Sequence, residues 1–392
     1  MKLSRTFSIT LFVIILLIGC SVEKDYIIVH PLPILKNKFN PSIIWYRKIG
    51  DGIGENYSKL SPVYNDSIVY SVDRKGTIKS IDFGSGKILW SINLSKKNYF
   101  FTRNRQSLLS SGLTVSGNKI YIGTETGKII ALNKIDGELV WESDISGEVL
   151  SKPIIDNGIL LIHTGNGLLH ALNSHTGQNK WSIDLGTSGL SIRGKSTPTI
   201  VYGIAIVGSN NGRISAINIA EGQILWQQYI SEIHGKVEID HLHDVNITPV
   251  IDINSSTIFA IGYNGDLVSM DMYSGQIIWR LYIGSVNDMI IVNNIIYLVD
   301  QNDRVLGIYK SNGVILWTQN ALLHRNLTAP IIYDNYLVIG DGEGYLHWLD
   351  INSGEFIVRN KLNSSGLQSR PIIANDKLLI QAKDGTIYLI KD

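Results

Sequence analysis

The chain has 392 residues with a formal net charge of +1, and 44% of it is hydrophobic, with 37 Gly and a single Cys. A near-neutral balance with no basic run argues against nucleic acid as the main partner. The length and Gly-rich, β-branched composition suit one large all-β body.

In chain order, residues 1–19 read as a secretory signal. Lys2 and Arg5 precede an apolar run, Phe7 to Ile18, that is too short to span a bilayer comfortably. The run ends Leu17-Ile18-Gly19-Cys20, which resembles the lipobox of bacterial lipoproteins, where the cysteine is lipidated and becomes the mature N-terminus. Stable anchoring needs more than one acyl chain, and lipoproteins of this kind carry several. Ser21, rather than Asp, follows the cysteine, which by the same resemblance points to the outer membrane. Residues 20–39, with Pro31 and Pro33, are expected to form a lipidated tether, and residues 40–392 the folded body. With Cys20 consumed, that body has no thiol, hence no disulfide, no Cys–metal site and no Cys nucleophile.

The body is built on the skeleton Gly-x9-Gly-x3-Trp. The Gly pairs are 76/86, 127/137, 167/177, 212/222, 265/275 and 344/354, with Asp303/Gly313 filling one more slot and Gly385 opening a unit that runs out of chain. Four places after each second Gly stands Trp90, Trp141, Trp181, Trp226, Trp279 or Trp317, and once Val358. A fixed inner spacing with uneven joints is the signature of a structural repeat. Alternating apolar runs around Gly/Asn/Asp turns predict four short strands per unit in an antiparallel meander. Asp82, Asn133, Asn173, Asn218, Asp271 and Asp350 share one slot from which a side-chain oxygen can accept turn N–H groups.

A four-stranded sheet cannot bury both faces alone, and stacking units around an axis solves that. The prediction is therefore an all-β, eight-bladed β-propeller of four-stranded antiparallel blades. A small residue four places after the first Gly (Ser80, Ala131, Ala171, Ala216, Ser269, Gly307) is expected where neighbouring blades crowd one another. The Trp residues are expected to dock between blades, each worth at most about 4–6 kcal/mol if ~150–250 Å² is buried at ~25 cal/mol per Å². The last unit lacks a fourth strand, and Asn40-Pro41-Ser42-Ile43-Ile44-Trp45 has the pattern to supply it. The N-terminal strand should close the ring and remove two open edges.

Catalytic motifs are scarce. Gly50-x-Gly52-x-Gly54 has no following helix and reads as a loop, not a dinucleotide site. Asp300, Asn302 and Asp303 lack the Glu of a calcium loop, and Asp341 and Glu343 flank a Gly in the equivalent turn, as solvated turn residues do. His241-Leu242-His243 with His234, Asp240 and Asp244 has no fixed fourth ligand for zinc, and no nucleophile–base–orienter set is visible. The joints say more. Those after Trp181 and Trp226 are long, leave the same face of a propeller and belong to consecutive blades. One offers Gly189-Leu190-Ser191-Ile192-Arg193-Gly194, the other Glu238, Asp240, His241, His243 and Asp244. Apolar residues beside Arg and carboxylates describe a protein-binding patch.

The repeat Ala-Leu-Asn-x3-Gly-x3-Trp, at Ala131 to Trp141 and Ala171 to Trp181, resembles the tryptophan-docking repeat of quinoprotein-type (PQQ-like) propellers. Leu190-Ser191-Ile192-Arg193-Gly194, Gly284-Ser285-Val286-Asn287-Asp288, Tyr297 to Val305, Gly344-Tyr345-Leu346-His347-Trp348 and Gln381 to Thr386 together resemble one branch of that family. That branch is the propeller lipoproteins of the outer-membrane β-barrel assembly (BAM) complex, and the likeness runs through the whole mature chain. It implies a non-enzymatic scaffold without cofactor or metal, lipid-anchored in the outer membrane of a Gram-negative bacterium and facing the periplasm. It also implies binding to the periplasmic POTRA region of the central barrel subunit, BamA, and a role in assembling outer-membrane β-barrel proteins. By matching position, the partner-binding residues are Leu190, Ile192, Arg193 and Asp244, a second acidic position being occupied here by Asn246. Asp240 joins them on proximity alone. The resemblance leaves open whether unfolded outer-membrane proteins touch the chain directly, for instance by adding a strand to a blade edge. The alternative on the same repeat is a quinone-dependent dehydrogenase. Such enzymes are longer, hold calcium in a funnel and often carry a vicinal disulfide, which a chain with its one Cys assigned to lipid cannot form.

Overall fold

A computed structural model describes residues 29–56, 58–96, 107–231 and 242–392. Within them, strands make eight four-stranded antiparallel sheets, and the only helical element is a 3-10 turn, Leu94–Lys96. Blades 1 to 7 are meanders spanning 63–93, 113–144, 154–184, 199–229, 250–282, 290–319 and 331–361. Blade 8 takes three strands from 372–391 and its outer strand, Ser42–Lys48, from the other end of the chain. The closing strand runs antiparallel to Thr386–Lys391, with Ser42 opposite Lys391 and Lys48 opposite Thr386. The ring is closed as the missing fourth strand predicts.

Burial falls from the middle of each blade outward. Second strands such as Ile159–His163 are wholly buried, because a neighbouring sheet lies on either face. Outer strands such as Leu139–Asp144 alternate between exposed and half-buried positions. The shared Asp/Asn slot works as expected. Asn173 Oδ1 accepts from the amides of His175 (2.8 Å) and Thr176 (3.1 Å), and Asp350 Oδ1 accepts from Asn352 and Ser353, both at 2.9 Å.

The tryptophans join the blades. Trp90, Trp141, Trp181, Trp279 and Trp317 each donate Nε1–H to a backbone carbonyl of the next blade, at 3.0–3.1 Å. Trp45 of the closing strand donates to Phe83 O at 2.8 Å, sealing blade 8 to blade 1. Each indole lies on the second Gly of the following unit. At Gly354, φ is +72° and an added Cβ would stand 2.5 Å from the Trp317 ring. The second Gly is thus both a left-handed turn residue and the seat of its neighbour's tryptophan.

Two local features of the blades were not expected. In every blade the register between the two outermost strands slips by one residue beside the tryptophan slot, as between Ala131 and Leu132 or between Ile43 and Trp45. This β-bulge turns the indole out of the plain alternation and toward the next blade. The small residue, in turn, sits directly across from the tryptophan of its own blade, as Ser80 does from Trp90 and Gly307 from Trp317. A Cβ on Gly307 would come within 2.7 Å of the Trp317 ring. The crowding expected between blades is therefore imposed by the blade's own indole.

Blade 7 inverts the pair: Trp348 occupies the small slot and faces Val358 across the outer strands. Trp348 is fully buried and its Nε1 has no hydrogen-bond partner among the described residues. Phe39 packs edge-on against it (ring centroids 5.4 Å, 87°), as does Tyr333 (5.5 Å, 83°). Phe39 ends a segment, part of the expected tether, that lies along blade 7's outer strand, Phe356–Lys361. His30 N donates to Leu323 O and Lys38 N to Ile357 O, both at 3.1 Å. Asn37 pairs with both backbone groups of Arg359 (3.1 and 3.0 Å), Arg359 Nη1 holds Pro33 O (2.9 Å), and Arg325 Nη1 holds His30 O (3.0 Å). This strap covers the one seam that has no docked tryptophan.

Candidate partner-binding site

The joint after blade 3 (185–198) and the described part of the joint after blade 4 meet on one face of the ring. The turns between second and third strands emerge on the same face. Asp244 and Asn246 grip the peptide of Ile192 from both sides: the Asp244 carboxylate accepts Ile192 N–H, and Asn246 Nδ2 donates to Ile192 O at 3.3 Å. Asn246 O accepts from Lys59 Nζ at 2.9 Å, which fastens the pair to the first blade's entry.

Arg193 is anchored on the other side. Its guanidinium pairs with Glu125 Oε2 (2.9 Å) and Glu148 Oε2 (3.0 Å), carboxylates of blade 2 and of the joint that follows it. Glu125 is also gripped by Arg74 of blade 1, through Nη2 at 2.9 Å and through Nη1. Burial would raise the Glu125 carboxyl, but hydrogen bonding and charge from Arg74, with Arg193 behind, outweigh it and hold the group below the usual carboxylate range. The chain Arg74–Glu125–Arg193–Glu148 runs over three consecutive blades.

Between these two grips the loop shows its apolar side. Leu190 is 55% exposed and Ile192 is half-buried. Asp244, by contrast, is 1% exposed and turned inward, so it supports the loop rather than forming its surface. Burial pushes its carboxyl up to about 6, against the opposing pull of the Ile192 N–H and the Lys195 charge. Asp240 lies outside the described residues, as do Glu238, His241 and Cys20. His243 is buried, and among the described residues no three His, Cys, Asp or Glu converge on a point that could hold a metal.

Sequence reasoning brought Leu190, Ile192, Arg193 and Asp244 together and missed Arg74, Glu125, Glu148 and Lys195. One signal was available. Arg74, Glu125 and Asn210 occupy the same turn slot, two places before the first Gly of their units, so opposite charges in consecutive units mark neighbours.

Fold and site define a tryptophan-docked propeller of the PQQ-like repeat class whose loop face carries an ordered apolar-and-charged patch. The profile of the family described as "Outer membrane protein assembly factor BamB" matches residues 74–319. Proteins of that name from Salmonella typhimurium and Escherichia coli K12 are 48% and 47% identical to this chain, over the full length of both partners in each case. The chain belongs to the BamB family of outer membrane protein assembly factors. The crystal structure of BamB from Moraxella catarrhalis superposes with a TM-score of 0.80 at 21% identity, covering 90% of this chain and all of that one. Quinohemoprotein alcohol dehydrogenase from Comamonas testosteroni shares the fold, with a TM-score of 0.70 at 13% identity over 89% of this chain and 76% of the enzyme.

Proposed function

We propose that this chain is a non-catalytic scaffold of the outer-membrane β-barrel assembly machinery whose loop face binds the POTRA region of BamA. Membership of a family of assembly factors supports the role. The likeness to a dehydrogenase is one of fold, and fold alone carries no activity. The observation that carries the site is Leu190, an apolar side chain standing out from a loop whose next residues are already tied down by Asp244, Asn246, Glu125 and Glu148. A loop ordered before binding loses little further entropy when it binds.

The test is affinity of the soluble body, from Ser21 onward, for the BamA POTRA region. Leu190→Asp is expected to weaken binding by about tenfold or more, as losing an apolar anchor does, with an unchanged circular dichroism spectrum. Equal binding by the variant would remove this loop from the interface. Arg193→Glu is a poorer probe, because a third carboxylate beside Glu125 and Glu148 would free the loop as well as delete a contact.

The same proposal places the protein on the periplasmic side of the outer membrane through lipid on Cys20, supported by the Leu17-Ile18-Gly19-Cys20 box. In detergent phase separation the native protein should enter the detergent phase and Cys20→Ser the aqueous one. The same partition for both would rule the anchor out.

A further inference from the structure

Under the 189–194 loop is a pocket of about 410 Å³, walled by the turns of blades 3 and 4 and by the joint after blade 2. Its floor is formed by Lys195 and Asn210, which are 1% and 2% exposed. Lys195 Nζ donates to Asn210 Oδ1 at 2.6 Å, and no carboxylate forms an ion pair with it among the described residues. An ammonium carries three donors, so among the described residues two are unfilled. Asn210 spends its carbonyl oxygen on the lysine and has its amide N–H groups left to give. The floor therefore offers donors only. The rim cation, Arg193, is engaged by Glu125 and Glu148, so the cation with capacity to spare is the one at the bottom.

We propose that this pocket receives an acidic side chain of the protein partner, with Lys195 as its counter-ion and Asn210 as the second donor. The inference rests on the loop face being the BamA-binding surface, and it names a chemical demand on whatever docks there: a projecting Asp or Glu at the position that faces the loop. The cost of keeping the lysine charged is visible in the free protein. Burial brings its ammonium down to about 8, only partly countered by Asp244, so it stays protonated at neutral pH without a full set of acceptors among the described residues. A carboxylate entering the pocket supplies two acceptors and the missing charge, and bonds of this kind are stronger than neutral ones. Arg193 then acts as a positioning residue that fixes the rim.

The experiment uses the mature chain and the BamA POTRA region as the probe, with Lys195→Met compared with Leu190→Asp. Lys195→Met is expected to lose about tenfold in affinity and to flatten the salt dependence of binding. Its circular dichroism spectrum should match the native one and its melt should stay cooperative, although the Asp244 carboxyl loses the charge that opposes its burial; that readout separates lost recognition from lost folding. Partner acids are then neutralised one at a time in both backgrounds. One of them should weaken the native protein and have no effect on Lys195→Met. If Leu190→Asp fails to bind while Lys195→Met binds like the native chain, the surface stands and the pocket does not. If no partner acid couples to Lys195, the ligand class is wrong. If the native chain does not bind, or neither variant alters binding, both readings fall together.

Discussion

Trp348→Ala is expected to cost about 3–5 kcal/mol of stability, the range for truncating a fully buried aromatic. Trp348 is the largest side chain with no exposure, and it is the hub against which Phe39, Tyr333 and Tyr336 pack. Its loss leaves a cavity at the seam between blades 7 and 8 and loosens the strap that ends at Phe39. The half-buried Trp181 provides the contrast, since Trp181→Ala removes a docked indole that solvent already reaches and should cost roughly half as much. Denaturant midpoints at constant slope measure both. Adding Val358→Trp to Trp348→Ala recreates the arrangement of the other blades, a small residue opposite a tryptophan, and should recover part of the loss. Recovery stays partial because Pro41, four places before Trp45, stands in blade 8 where the other units carry the Gly on which the indole sits. Equal costs at Trp348 and Trp181 would show that inversion of the pair has no energetic meaning.

Removal of residues 1–48 is expected to abolish the monomeric native state rather than lower its stability by a small step. Blade 8 would keep three strands, and the edge of Thr386–Lys391 would lie open to pairing with other chains. The Trp45 indole, 6% exposed and bonded to Phe83 O, would leave the seam with blade 1, and the strap would leave the seam with blade 8. Light scattering after size exclusion should find aggregates or a loosened, non-cooperative species. Supplying residues 29–48 as a peptide should restore part of the native spectrum. A soluble monomer melting like the intact body would mean that seven blades and a partial eighth are self-sufficient.

These outcomes turn on different amounts of information in the sequence. The tryptophan seams were legible because Gly-x9-Gly-x3-Trp ties three structural demands (a left-handed turn, a bulge and an interblade seat) to fixed offsets within one unit. Closure by residues 42–45 was legible because one unit was short by a strand. Val358 was visible as an exception, but its explanation required seeing Trp348 across the sheet, a pairing that the repeat pattern does not announce. At the candidate site, the sequence put Leu190, Ile192 and Arg193 on one loop and set Asp244 beside them. It did not show that Asp244 faces inward, because burial of a polar residue in a joint depends on how two loops fold over each other. Arg193 pairs with acids 68 and 45 positions away, and only the repeat's geometry brings them within reach.

The strap carries a mechanical consequence. Its first described contacts, at His30, lie on the loop face, and from there it descends the rim of blade 7 before the closing strand turns back up through blade 8. A pull on the amino end from the loop side meets Arg325 first, then Arg359 at Pro33 and Asn37, then Ile357 at Lys38. These holds yield one after another, as a peeled tape does, and Ser42–Lys48 bears no load until the last has gone. Tension at the amino end of the strap is spent along the rim before it reaches the joint that keeps the ring shut, which makes the strap a strain relief for the closure.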